Sequence, residues 1–389
     1  MRRQQPILWV FLGAAIGGFT VFRFSNPTSS SMFSLDGSRS AIRADRHHDS
    51  LLPEIHEHEH ENADGQEQLF QFQHEHEESD VVKELKKNVR VLCWIMTGPN
   101  NTNKAKAVNS TWAPKCNKHV FVTASKESHL PTIDFNVTDG RNHLWEKTKR
   151  AFKYFYENDL SDYDWFLKAD DDTFVIMENL RFMLLSYSPS DPVYFGCKFK
   201  PIVKQGYMSG GSGYVLSREA LRRFAEKALN NTQKCKASES GAEDVEMGKC
   251  LEFVDVIAGD SRDSQRKHRM LPFPITSHFD VTGTNKSVFP AWFHQYIYYP
   301  YNANQEPLSD YVISFHYTSK ALMYALYNQI YHIRAFGVSD DADRLAKAKT
   351  EGGQKLIDTL ISLSRNNSRS FADMVAERDR DLAPKAGSK

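Results

Sequence analysis

The stretch WFLKADDDTFV, residues 165–175, sets three adjacent carboxylates, Asp170, Asp171 and Asp172, between two apolar clusters. Neighbouring carboxylates repel one another and are costly to desolvate unless a cation or a set of donors compensates them. A hard divalent ion does so. Asp170 and Asp172, alternate residues on an extended turn, can reach one Mn²⁺ or Mg²⁺ and leave coordination positions for phosphate oxygens. The bland alternative is a solvated acidic turn, and the apolar sequence on both sides counts against it.

Three further segments carry residues of the right type. In QGYMSGGSGYVLSREAL, residues 205–221, Gly210, Gly211 and Gly213 relax the backbone where a ligand could approach, and Ser217 reads as a helix cap. The glycines follow neither GxGxxG nor GxxxxGK, so a Rossmann or P-loop nucleotide site is unsupported. In GAEDVEMGKC, residues 241–250, Glu243 and Asp244 open a helix, a place where acids often serve only as caps. In VISFHYTS, residues 312–319, His316 interrupts an apolar strand. Alone it reads as a hydrogen-bonded core histidine; beside a carboxylate metal site it becomes a candidate ligand.

These residues need a scaffold, and hydrophobic periodicity supplies one. VRVLCWIMTGP (89–99) reads as a buried strand, NKAKAVNSTW as a helix and HVFVTAS as a second strand. Residues 142–158 place Leu144, Thr148, Ala151, Phe152 and Phe155 near helical spacing ahead of the strand YDWFLKA. A helix from Met177 to Tyr187 and the strand VYFGC follow the aspartates. Alternation of this kind predicts an α/β fold with a mainly parallel sheet flanked by helices and ligands at the strands' carboxyl ends. Residues 339–389 are charged and read as a polar C-terminal tail.

The amino-terminal region sets the compartment. MRRQQP, residues 1–6, precedes an apolar run, and 7–24 reads as a transmembrane signal-anchor with Arg2 and Arg3 on the cytoplasmic side. A cleaved signal peptide is the alternative, but no small-x-small cleavage site follows the run. Residues 25–87, with EIHEHEHEN and QHEHEESD, bury too little apolar area to offset ordering entropy and read as a flexible stem. Its His/Glu alternation is taken as a solvated spacer. Sequons begin at Asn100, Asn109, Asn136, Asn230, Asn285 and Asn366. The five cysteines lack metal spacing and suit disulfides; the pairs closest in sequence, Cys93 with Cys116 and Cys235 with Cys250, leave Cys197 over, and connectivity stays open. Lys plus Arg and Asp plus Glu both number 49 and no basic stripe occurs, which argues against a nucleic-acid partner.

WFLKADDDTFV, QGYMSGGSGYVLS, AEDVEMGKC and SFHY, with LCWIMTGP, VNSTW, YFGCKFKP and AGDSRD, together resemble the β1,3-glycosyltransferase family that includes the fringe enzymes. The resemblance covers residues 89–338 and is closest to the branch that builds core 1 of mucin-type O-glycans. It implies a GT-A type catalytic domain over 88–338 in a type II Golgi membrane protein, commonly a homodimer. It also implies a reaction: inverting transfer of galactose from UDP-galactose to the 3-hydroxyl of GalNAc on Ser or Thr, with Mn²⁺. By the same resemblance the triplet Asp170, Asp171 and Asp172 matches the DxD motif at the metal and UDP, Asp170, Asp172 and His316 being the metal ligands. Met96 and Thr97 match a turn near the uridine. Asp244 is expected as general base with Glu243 orienting the acceptor, and Gly210 and Gly211 match a loop close to the reacting sugars. Independently of the resemblance, Tyr207 and Trp292 are aromatic candidates for the wall around the acceptor sugar, with ordinary packing as the alternative. The segment NANQEPLSDYV departs from the family in lacking a Cys-Cys pair.

Overall fold

In the computed structural model, residues 78–124, 129–279, 289–301, 308–333 and 353–383 are described. The expected anchor over 7–24, nearly all of the stem and the sequon at Asn285 lie outside them. Among the described residues no helix is long and apolar enough to cross a membrane.

The central sheet is built from β1 (Val91–Met96), β2 (Lys118–Val122), β3 (Thr132–Ile133), β4 (Trp165–Asp170), β6 (Val193–Gly196), β9 (Tyr214–Ser217) and β10 (Ile257–Ala258). Its spatial order is β10-β6-β9-β4-β1-β2-β3. All neighbours pair in parallel except β9, which runs antiparallel to both β4 and β6. The sequence VLCWIM makes β1 because a central strand covered on both faces must be apolar at every position. Its alternate residues divide between two cores: Cys93 and Ile95 join one, Leu92 and Trp94 the other. The second is closed by α3 (Leu144–Asp159), which buries Trp145, Thr148, Ala151, Phe152 and Phe155. Trp94 meets Phe152 edge-on at 5.2 Å.

Register determines where the acidic turn falls. Met96 lies opposite Asp170, so β1 and β4 end side by side and the carboxylates follow at their carboxyl ends. The chain then enters β5 (Phe174–Val175), part of a small sheet with β12 (Ser314–Phe315) and β11 (Met270–Leu271). Phe315 pairs antiparallel with Phe174, which returns His316 to the acidic turn. A short hairpin, β7 (Lys198–Phe199) with β8 (Tyr207–Met208), precedes the glycine loop and α6 (Glu243–Phe253).

Cys93 bonds Cys116 and Cys235 bonds Cys250, while Cys197 is buried and free. The second disulfide closes a 15-residue separation that leads into α6.

Two boundaries differ from the sequence reading. The stem was expected to run to residue 87, yet α1 (Asp80–Asn88), capped by Ser79, is folded and buries Leu85. Within the segment read as a polar tail, helices span Gly353–Asn366 and Phe371–Leu382, and Leu356, Ile357 and Leu360 cluster with Leu85. Average polarity hid them: an amphipathic helix needs only a narrow apolar seam.

Candidate active site

The acidic turn, the glycine loop, the start of α6 and the residues after β12 converge. One ligand atom each from Asp170, Asp172 and His316 lies within 4.8 Å of the other two. His316 Nε2 is 3.3 Å from Asp172 Oδ1, and its Nδ1 is 3.3 Å from the Pro272 carbonyl. Gly211 is required here: a Cβ on it would stand 2.1 Å from His316 Cε1. Two carboxylates and an imidazole, half-buried and within reach of one another, suit a borderline or hard divalent ion such as Mn²⁺.

The three aspartates are not equivalent. Asp171 points back: Thr97 Oγ1 donates to its Oδ2 at 2.7 Å, and burial pushes its carboxyl up to about 6 in spite of that bond. Burial also works to raise Asp172, but His316 and Lys104 overcome it and hold the carboxyl down to about 2. Lys104 Nζ is 3.2 Å from Asp172 Oδ2 and 3.9 Å from Asp171 Oδ1. Asp172 is thus ionised and partly open, the state a metal ligand needs.

The acids of α6 divide in a similar way. Glu243 is enclosed, and its Oε1 accepts from Thr148 Oγ1 at 3.0 Å and from the Tyr214 hydroxyl. Asp244 keeps part of its surface open; its Oδ2 accepts from the Gly210 amide at 3.2 Å and its Oδ1 from Val245 at 2.8 Å. Burial pushes both carboxyls up, and Lys168 counters it at each. An accessible carboxylate with a raised pKa is equipped to take a proton; an enclosed one with fixed donors is equipped to hold position.

The remaining residues singled out in the sequence divide between this turn and the hydrophobic core. Met96 and Thr97 are buried where β1 ends, beside Asp171. Tyr207 is 0 % exposed, packed against α6 where a Cβ on Gly248 would collide with it. Burial first, and then the charge of Asp244, pushes its hydroxyl up. Trp292 is half-buried, and both it and Tyr207 meet Phe199 edge-on, at 6.2 and 5.9 Å.

Sequence reasoning missed Lys168. It is buried on β4 with its ammonium 2.6 Å from Asp170 Oδ1, 3.2 Å from the Gly210 carbonyl and 3.9 Å from Glu243 Oε2. Burial works to lower its pKa, yet Asp170 and Glu243 raise it, so it stays charged. The available signal was a lysine inside an otherwise apolar strand, two residues before the acidic run and on the same strand face as Asp170. Thr148, Tyr214 and Lys104 were also not singled out.

A family model described as fringe-like matches residues 97–268, which contain the acidic turn, the glycine loop and the start of α6. The chain is 46% identical over 277 residues to glycoprotein-N-acetylgalactosamine 3-beta-galactosyltransferase 1 of Xenopus laevis, covering 69% of this chain and 76% of that protein. It is 28% identical over 152 residues to beta-1,3-glucosyltransferase of Mus musculus, covering 38% of this chain and 30% of that one. Chondroitin sulfate synthase 3 of Mus musculus is 28% identical over 169 residues, 38% of this chain and 19% of its own. The shared length with the first of these and the motifs that form the site agree: the chain belongs to the fringe-like β1,3-glycosyltransferase family, in the group of the glycoprotein-N-acetylgalactosamine 3-beta-galactosyltransferases.

Proposed function

We propose that the protein transfers galactose from UDP-galactose to the 3-hydroxyl of GalNAc on Ser or Thr, forming a β1,3 bond by single displacement. The observation that carries this reading is the juxtaposition of two acidic sites with different tasks. Asp170, Asp172 and His316 form a divalent-ion donor set, and the Gly210 backbone joins it to a base, Asp244, with an open face. The relative of Xenopus laevis, named for transfer of this kind, supplies the donor and acceptor classes.

Asp170, Asp172 and His316 would hold Mn²⁺, which when bound supplies Lewis-acid stabilisation of the charge growing on the departing diphosphate. Asp244 accepts the proton of the acceptor hydroxyl as that oxygen attacks the anomeric carbon. Inversion needs only this one carboxylate near the nucleophile. Glu243, fixed by Thr148 and Tyr214, orients the acceptor beside it. Thr97 keeps Asp171 turned away from the metal ligands. Trp292, half-buried against Phe199, is the aromatic side chain left to face the acceptor sugar.

The domain is read as GT-A type, held in the Golgi lumen by the anchor over 7–24 and forming a homodimer. Two disulfides and the accessible sequon at Asn136 support a lumenal placement. Protease protection of tagged, membrane-inserted protein tests the topology, and light scattering tests the dimer.

The deciding experiment is transfer from UDP-galactose to a GalNAc-Thr peptide with and without Mn²⁺, with UDP-GlcNAc and UDP-glucose as competing donors. Galactose transfer that requires the metal supports the reading. Preference for another donor, or equal rates in chelator, overturns it.

A further inference from the structure

Among the described residues, the polar partners of the Lys168 ammonium belong to the site. Asp170, one of the metal-binding carboxylates, takes the shortest contact, 2.6 Å. The Gly210 carbonyl follows at 3.2 Å, and the amide of that same glycine donates to Asp244. Glu243 Oε2 stands 3.9 Å away, and the ring of Tyr214, whose hydroxyl binds Glu243, lies 5.9 Å from the ammonium. Space is tight: a Cβ on Gly210 would come within 3.0 Å of Glu243 Oε2 and 3.5 Å of Lys168 Nζ. A buried ammonium is retained only where its charge is answered, and here both answering carboxylates are themselves functional.

We infer that Lys168 is a positioning residue that ties the acceptor-side acids to the donor-side carboxylate, holding Glu243 and the Gly210 backbone, and through it Asp244, in the place set by Asp170. It touches neither reacting sugar. It fixes the distance between the two ends of the reaction, where a displacement of about 1 Å costs on the order of 100-fold in rate. Removing it leaves two carboxylates facing each other and frees the glycine loop. It also removes a cation that competes with a metal for Asp170, so the donor side is spared while the acceptor side loosens.

For its substrates this inference rests on the galactosyl-transfer reading above. The test compares the native chain with Lys168→Met and Lys168→Arg in three measurements: Mn²⁺ and UDP affinity by calorimetry, KM and kcat for a GalNAc-Thr peptide, and amide exchange across residues 209–213. Lys168→Met is expected to keep or tighten Mn²⁺ binding, to raise the acceptor KM about tenfold or more with a fall in kcat, and to speed exchange in the loop. Lys168→Arg, which keeps the charge with a different reach, should lie between. A role in folding alone predicts parallel loss of Mn²⁺, UDP and acceptor binding, and that pattern overturns the inference; so does an unchanged acceptor KM with native exchange. If Lys168→Met does not fold, Lys168→Gln and Lys168→Arg decide by the same criteria. Should the native protein transfer no galactose to GalNAc-Thr, the reaction assigned above falls, and the exchange and Mn²⁺ measurements still decide the role of Lys168.

Discussion

Asp172 is the side chain on which the proposed metal site turns. Its charge is held by His316 at 3.3 Å and Lys104 at 3.2 Å, so it is ionised before any metal arrives. Asp172→Ala and His316→Ala are each expected to abolish Mn²⁺-dependent transfer while melting as the native chain does. Native turnover in either variant, or an unchanged Mn²⁺ isotherm, removes the metal assignment. Asp244→Asn keeps an oxygen to accept from the Gly210 amide but cannot take a proton. Its rate should fall about 10²–10⁴-fold with UDP affinity nearly kept, and an equal loss of UDP binding would assign Asp244 to the donor instead. Asp170, Asp172 and His316 stood out in the sequence because charge or imidazole amid apolar residues demands a reason, whereas Glu243 and Asp244, at a helix start where acids often only cap, were singled out by the family resemblance. Lys168 was not, since a lysine in a strand says nothing of what lies across from it until β9 and α6 are placed.

At the level of elements, the small β11-β12-β5 sheet delivers His316, and the segment around it is linked to pH. His268 on the approach to β11 stacks on Tyr301 at 4.2 Å, and His278 in helix α7 (Ile275–Phe279) lies 5.0 Å from Phe289. Burial pushes their pKa values down to about 3 and about 4. A histidine whose folded pKa is depressed stays neutral while the unfolded chain takes up a proton. The stability it contributes is therefore complete above the ordinary value of about 6.5 and is lost as pH falls toward the folded pKa. At pH 5 the loss should be about 2 kcal/mol for each ring. The melting temperature is expected to drop between pH 7 and pH 5, and His278→Phe, placed among Phe273, Phe289 and Tyr301, to flatten part of that slope. A slope identical to the native one would show that His278 does not titrate in this way. The main strands and helices of the sheet could be read from the sequence, because β1 and β4 carry near-continuous apolar runs bounded by turn signals and α3 a 3.6-residue pattern. The two-residue strands could not: β5, β11 and β12 are too short to have a period, and only tertiary pairing defines them.

For the molecule as a whole, the helices Gly353–Asn366 and Phe371–Leu382 pack as part of the catalytic unit. Helix Phe371–Leu382 inserts Met374, 3 % exposed, into the same core as β1 and β4. Around it Arg369 Nη1 lies 3.0 Å from Asp260 Oδ2, a buried carboxylate that Arg262 also holds at 2.9 Å, and Arg369 further binds Glu377. The Tyr298 hydroxyl donates to Asp381, so the helix also grips the segment that carries Trp292. Truncation before Phe371 would expose that core, strip Glu377 from Arg369 and release Tyr298 together. Met374→Ala isolates the apolar part: it should cost about 2–5 kcal/mol in urea unfolding, the range for a buried methionine truncated to alanine. Because Met374 meets Asp260, just after β10 at the sheet edge, rather than Asp170, Asp172 or His316, Mn²⁺ and UDP affinities should stay near native at temperatures where the variant is folded. A cost below about 0.5 kcal/mol, the range of surface substitutions, would mean the helix is held by its ion pairs and adds little to the core.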